Sequence, residues 1–295
     1  MSTPSSAPVI GVIGGSGIYE IDGLENTEWR KIESSFGEPS DELLFGELDG
    51  QKMVFLPRHG RGHRIPPSDL NFCANIDAMK RAGVTEILSV SACGSLKEDL
   101  PPGKFVICDQ FIDRTFARTK SFFGPGLVAH VALGDPVCSR LGDALEEAGN
   151  EIGLDFQRGG TYLAMEGPQF STKAESNLYR SWGCDVIGMT NMPEAKLARE
   201  AEMCYATVAM VTDFDCWHPD HDHVTVDSII QTLMGNADKG RNLVKAVAPK
   251  LAARTENCSD GCHTALDTAI ITAPDARDQN MIKKLDAVAG RVLNG

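Results

Sequence analysis

The sequence predicts an α/β fold, a single domain built on a twisted mixed β-sheet flanked by helices, and three observations carry that expectation. Short apolar, β-branched runs alternate with helically spaced apolar positions from Val9 to Ala253, and no linker-like stretch interrupts them. The strand-like runs end repeatedly in glycine, serine or aspartate, as at Gly14, Ser91, Gly188 and Asp213. Of the 295 residues, 42% are hydrophobic and 23% charged, enough for a sizeable core with no run near the ~20 apolar residues of a membrane span.

Val9 to Gly17, reading VIGVIGGSG, is a first strand running into a glycine-rich turn whose backbone amides could cradle an anion. It is neither nucleotide motif: Glu20 stands where G-x-G-x-x-G needs its third glycine, and the Lys-Ser/Thr of a P-loop is missing. Leu43 to Leu48 and Lys52 to Leu56 flank Asp49-Gly50-Gln51, a hairpin signal. The second arm runs into Pro57-Arg58-His59-Gly60-Arg61-Gly62-His63-Arg64, the densest basic segment of a chain whose net charge is −13. A solvated loop is the ordinary reading of a charge run. Here the run ends a strand and carries glycines that admit a ligand to the backbone, which favours an anion site.

Ser68 is the expected cap of a helix carrying Phe72, Cys73, Ile76 and Met79 and stopped by Gly83. Glu86 to Val90 is the next strand, ending in Ser91-Ala92-Cys93-Gly94-Ser95, and Phe105 to Ile112 another, followed by an irregular stretch to Val131 that holds His130. Leu141, Leu145, Ala148 and Ile152 mark a helix, and Thr161 to Met165 a strand that ends at Glu166 to Ser171. A helix with Ala174, Leu178 and Trp182 on one face leads to the strand Cys184 to Ile187, which ends in Gly188-Met189-Thr190-Asn191. Pro193 suits the first turn of the helix carrying Leu197, Ala198 and Ala201. The apolar run Tyr205 to Val211 then stops at Asp213, Asp215 and Trp217, and carboxylates at a strand's carboxyl end are well placed to form one wall of a ligand site. Val226, Ile229, Ile230, Leu233 and Ala237 face a long helix toward Ala253, and Ile282 to Val292 carries a final one. This divides the chain into a flexible amino terminus at 1–8, the domain at 9–253 and a tail at 254–295.

The acidic balance excludes a nucleic-acid partner, because phosphate-backbone binding needs a basic face. No export signal marks the amino terminus, so the expected address is cytoplasmic, with no membrane partner. Nine cysteines sit mostly inside apolar patterns as reduced thiols, and Cys258 and Cys262 in the polar tail are expected to be two exposed thiols, with a disulfide between them the alternative. His218, His221 and His223 lie in what reads as a surface loop, so neither a metal nor a cofactor is expected.

Collected, the strand ends supply Ser16, Arg58 with His59, Ser91 with Ala92, Phe170, Met189 with Thr190, and Asp213 with Asp215. These are the residue types of a phosphorolysis site. Phosphate as nucleophile needs hydroxyls, amides and a fixed cation; a departing purine needs a stacking ring and an acid to protonate it.

The segments GVIGGSGIY, PRHGRGH, SACGSL, DQFIDRT, MEGPQFST, GMTNMPEAKLAREAEMCYA and VTDFDCW, in that order, resemble the trimeric purine nucleoside phosphorylases, in their methylthioadenosine-cleaving branch, over roughly Val9 to Ala252. The resemblance implies a purine nucleoside phosphorylase-like fold and no cofactor, inorganic phosphate being a co-substrate. It implies a homotrimer, or a hexamer. By carry-over, Ser16, Arg58, His59, Ser91, Ala92 and Thr190 would bind phosphate. Met189 would meet the ribose, Phe170 would stack on the base, and Asp213 would protonate purine N7 with Asp215 assisting. Val226, Ile229 and Ile230 would wall a 5′-methylthio pocket, with His130 reaching in from a neighbouring subunit. Relatives specific for 6-oxopurines carry asparagine at the position of Asp213, glutamate at that of Ser171 and histidine at that of Val226. An ionised carboxylate can only accept from a 6-amino group, so Asp213 favours adenine, and an apolar Val226 favours a thioether.

Overall fold

The computed structural model describes residues 8–15, 17–219, 226–254 and 256–294, and for 226–231 the backbone only. Ser16 therefore lies outside the described residues, as do the side chains of Val226, Ile229 and Ile230.

The sheet is organised around β5 (Glu86–Ser95), ten residues long and buried along almost its whole length. On one side it pairs in parallel with β1 (Ile10–Gly14), and on the other in parallel with β11 (Cys204–Asp213). β1 leads outward through β4 (Gln51–Pro57) and β3 (Leu43–Leu48) to β2 (Leu24–Arg30). Beyond β1, the carboxyl end of β5 pairs antiparallel with β10 (Val186–Gly188), which continues into β9 (Thr161–Met165) and β7 (Gln110–Arg114). β11 carries β6 (Phe105–Cys108) and β8 (Phe156–Arg158) on its other edge. Eleven strands thus form one mixed sheet among the described residues.

Period-two alternation decides the two faces. Ile87, Tyr205, Ala209 and Val211 pack on one side against α1 (Phe72–Arg81), α4 (Asn191–Glu200) and α7 (Asp286–Leu293). Leu88, Val90, Ala206, Val208 and Met210 pack on the other against α2 (Ser139–Glu151) and α5 (Val226–Ala252). Because both faces are covered, β5 and β11 read as continuous apolar runs. Truncating a residue such as Leu88, 1% exposed, to alanine would cost about 2–5 kcal/mol.

Several expectations need correction. Ser68 does not cap α1: Asn71 does, its Oδ1 accepting from the Ala74 amide at 3.0 Å, while Ser68 Oγ is drawn to Glu166 Oε1 at 2.6 Å. Phe105 to Ile112 is two strands, β6 and β7, broken at Asp109. The edge strands β2 and β8 carried no apolar alternation, because β2 is largely solvent-facing and β8 is three residues long. α3 (Lys173–Ser181) turns Ser176 and Tyr179 inward and leaves Leu178 and, just beyond it, Trp182 exposed, the reverse of the expected face. The final helix is two, α6 (Gln279–Lys284) and α7, meeting at Leu285. Cys258 and Cys262 are buried, at 5% and 1% exposure, and not the exposed thiols that their polar neighbours suggested.

Candidate active site

β1 and β4 run parallel with Gly14 beside Pro57, and the Arg58 amide donates to Gly14 O at 2.9 Å. The glycine turn and the basic loop therefore emerge side by side. Arg58 itself turns inward and is 1% exposed. Its Nε donates to Glu194 Oε2 at 2.8 Å and its Nη2 to Glu194 Oε1 at 3.1 Å, to Ser89 Oγ at 2.6 Å and to Ile13 O at 3.2 Å. Nη1 donates to Val90 O at 3.2 Å.

Glu194 is the hub of a buried polar chain. Its Oε1 also accepts from Ser89 Oγ at 2.7 Å and from the Tyr205 hydroxyl at 2.9 Å. Asn191 donates to the Tyr205 hydroxyl at 3.3 Å and to Thr207 Oγ1, and its Oδ1 accepts from Ser91 Oγ at 3.1 Å and from Thr190 Oγ1 at 3.4 Å. The guanidinium after β4, the hydroxyl on β5 and the hydroxyl after β10 are thus held by one hydrogen-bonded array. Three of the expected phosphate residues come together in this way, and Ala92 follows Ser91 on β5, half-buried opposite Met210.

His59 is buried beside them, its Nδ1 2.8 Å from Ile65 O and its ring stacked on His63 at 4.2 Å between centroids. Burial drives its pKa down to about 4 against the opposing pull of the Ile65 carbonyl, and the Arg58 charge adds to the fall. A carbonyl can only accept, so Nδ1 carries the proton and Nε2 keeps a lone pair. That lone pair can accept the O–H of a monoprotonated phosphate.

At the other end, β11 bulges between Val211 and Asp213, and Asp213 lies opposite Gly94 of β5. A Cβ added at Gly94 would stand 2.9 Å from Asp213 Oδ1, so glycine there makes room for the acid. Asp213 Oδ2 accepts from Thr212 Oγ1 at 2.7 Å and Oδ1 from the Asp215 amide at 2.8 Å. Burial raises the pKa of Asp213 although both bonds oppose it. Asp215, 8% exposed and at φ +51°, is raised by burial to about 6, with nearby Ser176 pulling it back and the Asp213 charge adding to the rise. Among the described residues its Oδ2 is a buried oxygen without a hydrogen-bond partner, which leaves one acid of the pair an open proton site. A half-buried and a buried carboxyl, both shifted upward, fit proton donation.

Phe170 is 46% exposed at the mouth of the loop after β9, and Ser171 is buried, its carbonyl accepting from Cys216 Sγ at 3.3 Å. Met189 is half-buried and packs on Gly167, where a Cβ would lie 2.5 Å from its Sδ. Arg118 fixes this side: Nη1 donates to Met189 O at 2.5 Å and to Met192 O at 2.8 Å, and Nε to Glu166 Oε1 at 3.1 Å. Burial would raise Glu166, but Ser68, the Phe116 and Ala117 amides and Arg118 outweigh it and hold the carboxylate at about 2. His130 is not gathered with these groups. It is exposed and lines a separate pocket of about 400 Å³ with Lys120, Lys196 and Glu200.

Glu194, Asn191, Ser89, Tyr205, Arg118 and Glu166 are not singled out by the sequence. For Asn191 and Glu194 a signal exists: their i, i+3 spacing continues into Leu197 and Ala198, which places both polar side chains on the buried face of α4.

Residues 9–249 match the model of the phosphorylase superfamily. The S-methyl-5′-thioadenosine phosphorylase of Rhodospirillum rubrum is 67% identical over 99% of this chain and all of that protein. The enzyme of the same name from Cereibacter sphaeroides is 62% identical over 97% of this chain and 99% of that one. Among solved structures, a methylthioadenosine phosphorylase from an Antarctic soil metagenomic library superposes with a TM-score of 0.90 at 47% identity, covering 96% of this chain and 99% of the other. A Schistosoma mansoni methylthioadenosine phosphorylase in complex with adenine gives 0.79 at 34% identity, over 88% and 96%.

Proposed function

The chain belongs to the phosphorylase superfamily, and on that premise we propose how its strand ends carry out the phosphorolysis of 5′-methylthioadenosine to adenine and 5-methylthioribose 1-phosphate. The observation that carries the mechanism is the pairing, across one set of strand ends, of a buried array joining Arg58, Ser91 and Thr190 with two acids, half-buried Asp213 and buried Asp215, whose pKa values are raised.

Phosphate sits over Ser16, Arg58, His59, Ser91, Ala92 and Thr190, where fixed donors meet its charge without reorganising. One of its oxygens attacks C1′ of the ribose as the C1′–N9 bond breaks, and the bonding pair moves into the purine ring. The proton that neutralises this charge comes from Asp213 to N7, with Asp215 as the neighbouring proton reservoir. While one Asp213 oxygen donates to N7, the other accepts from the exocyclic amine, which selects a 6-amino base. Met189 contacts the ribose and Phe170 stacks on the base. Val226, Ile229 and Ile230 wall the methylthio group, which gains from apolar burial and needs no hydrogen bond.

His130, exposed and lining a pocket with Lys120, Lys196 and Glu200, is read as reaching the site of a neighbour in a homotrimer. Among the described residues no helix is long and apolar enough to cross a membrane. The test is adenine release from methylthioadenosine with and without phosphate: release matched by phosphate consumption is expected, and equal release without phosphate would make the reaction hydrolysis.

A further inference from the structure

Cys138, Cys204 and the pair Cys258 and Cys262 come from three separate stretches of the chain, yet their four sulfurs all fall within 4.8 Å of one another, and all four residues are buried. Four sulfurs placed at ~2.3 Å around a tetrahedral zinc ion are separated by roughly 3.8 Å, so a small inward movement converts this cluster into a tetrathiolate coordination sphere. We propose that these four thiolates bind one structural zinc ion, which clips the carboxyl-terminal tail to the body of the domain.

The surroundings fit a thiolate-bound dication. Cys138 is the residue before the first turn of α2, where the positive end of the helix dipole favours a thiolate. Arg140 donates from Nη2 to Cys204 Sγ at 3.5 Å while paired with Glu86, and the Cys262 amide donates to Cys258 Sγ at 3.4 Å. Such N–H bonds to ligand sulfur orient and stabilise thiolates around a metal, and they offset part of the net negative charge that four thiolates leave on zinc. Cys258 and Cys262 are brought together by a tight turn with Gly261 at φ +65°, a left-handed conformation that glycine adopts without strain. Asp260 in the same turn accepts from the Ser139 amide at 2.6 Å, seating the turn on the start of α2. A disulfide needs only two sulfurs, at ~2.05 Å, whereas gathering all four into one cluster is the arrangement that a tetrahedral ion requires.

The ion would join three places: the start of α2, the first residue of β11, and the tail. Past it, the tail amide of Leu266 donates to Glu202 Oε1 at 2.9 Å, Ile270 bridges Ala129, and the His130 amide donates to Ala269 O at 2.9 Å. The clip therefore also fixes the backbone that presents His130, which assigns the tail a role as a brace.

The test is elemental analysis of the untagged full chain purified without chelator, followed by exchange into Co²⁺. About one zinc per chain, and after exchange the thiolate-to-cobalt charge-transfer and d–d bands of a tetrahedral tetrathiolate, are expected. The Cys258→Ser/Cys262→Ser double variant should lose the metal, and its tail should become cleavable by protease while the rest of the domain stays resistant. Should that variant not fold, the wild-type measurements stand alone. Intact mass after alkylation in denaturant without reductant should show all nine cysteines modified. A mass short of full alkylation, which marks disulfides, stoichiometric iron, or neither zinc nor a cobalt spectrum would overturn the proposal.

Discussion

Arg58 and Glu194, separated by 136 positions in sequence, meet as a two-pronged ion pair with Nε 2.8 Å from Oε2 and Nη2 3.1 Å from Oε1, both side chains 2% exposed. The pair holds the cation of the proposed phosphate end, so on that proposal Glu194 would act on phosphate through Arg58. Glu194→Gln leaves a buried guanidinium without its counter-charge, and breaking a buried pair in this way costs about 3–5 kcal/mol. We expect the KM for phosphate to rise by about tenfold, equivalent to about 1.4 kcal/mol, with a smaller change in the KM for the nucleoside. Steady-state kinetics beside thermal unfolding decide the matter: a loss of stability with an unchanged phosphate KM would make the pair purely structural.

Asp213→Asn keeps shape and volume but removes the proposed proton donor to N7. Activity on methylthioadenosine should fall by about 10²- to 10⁴-fold. Unfolding free energy should change by about 1 kcal/mol or less, since the substitution removes a charge that burial already disfavours. Parallel losses of activity and stability would place the residue in the scaffold.

Asp215 has a pH signature of its own. Its native pKa is raised to about 6, so the folded state holds the proton more tightly than the unfolded state does. Its contribution to stability is therefore most favourable below the unfolded carboxyl pKa, declines as pH rises through about 6, and above that leaves a cost of about 3 kcal/mol. Asp215→Asn should be more stable than the wild type at pH 8, and the gain should shrink toward pH 4. A gain that is equal at both values would show that ionisation is not its source.

His59 titrates in the opposite sense. Its native pKa is lowered to about 4, so its contribution to stability is complete above the ordinary histidine pKa and is lost as pH falls from there toward 4. Nitrogen NMR of the phosphate-free protein should find a neutral ring protonated at Nδ1 at pH 6. An imidazolium signal at that pH would contradict both the burial and the acceptor role assigned to Nε2.

The strand ends are legible in sequence wherever an apolar run stops at residues that packing does not want. Asp213 after Val211 and Arg58 after Leu56 stand out for that reason, and the structure places both at carboxyl ends of strands of one sheet, β11 and β4, with β1 and β5 between them. The supporting shell is harder to read. Glu194, Tyr205 and Ser89 sit inside segments whose pattern says helix or strand, and only the long-range meeting of α4 with β4, β5 and β11 turns them into partners of Arg58. Arg118 reads only as part of an irregular loop, because its partners come from two other segments, Glu166 after β9 and Met189 with Met192 after β10. The reversed face of α3 has a local cause: Ser176 and Tyr179 are turned toward the acids and β10, and Leu178 and Trp182 are left outside. Burial of Cys258 and Cys262 is invisible in sequence because their neighbours are polar, and Cys138 and Cys204, which complete the cluster, come from distant elements.

The proposed base selection by Asp213 rests on which atoms donate and which accept, and a substrate pair differing only at the purine 6-position tests it. Initial rates at saturating phosphate should be compared for methylthioadenosine and methylthioinosine. The carboxylate predicts a much higher kcat/KM for methylthioadenosine, by roughly 10²-fold or more, because the 6-oxo group brings an acceptor against an acceptor. Equal or faster turnover of methylthioinosine would contradict the assignment of Asp213 and, with it, the reading of this site as specific for a 6-aminopurine.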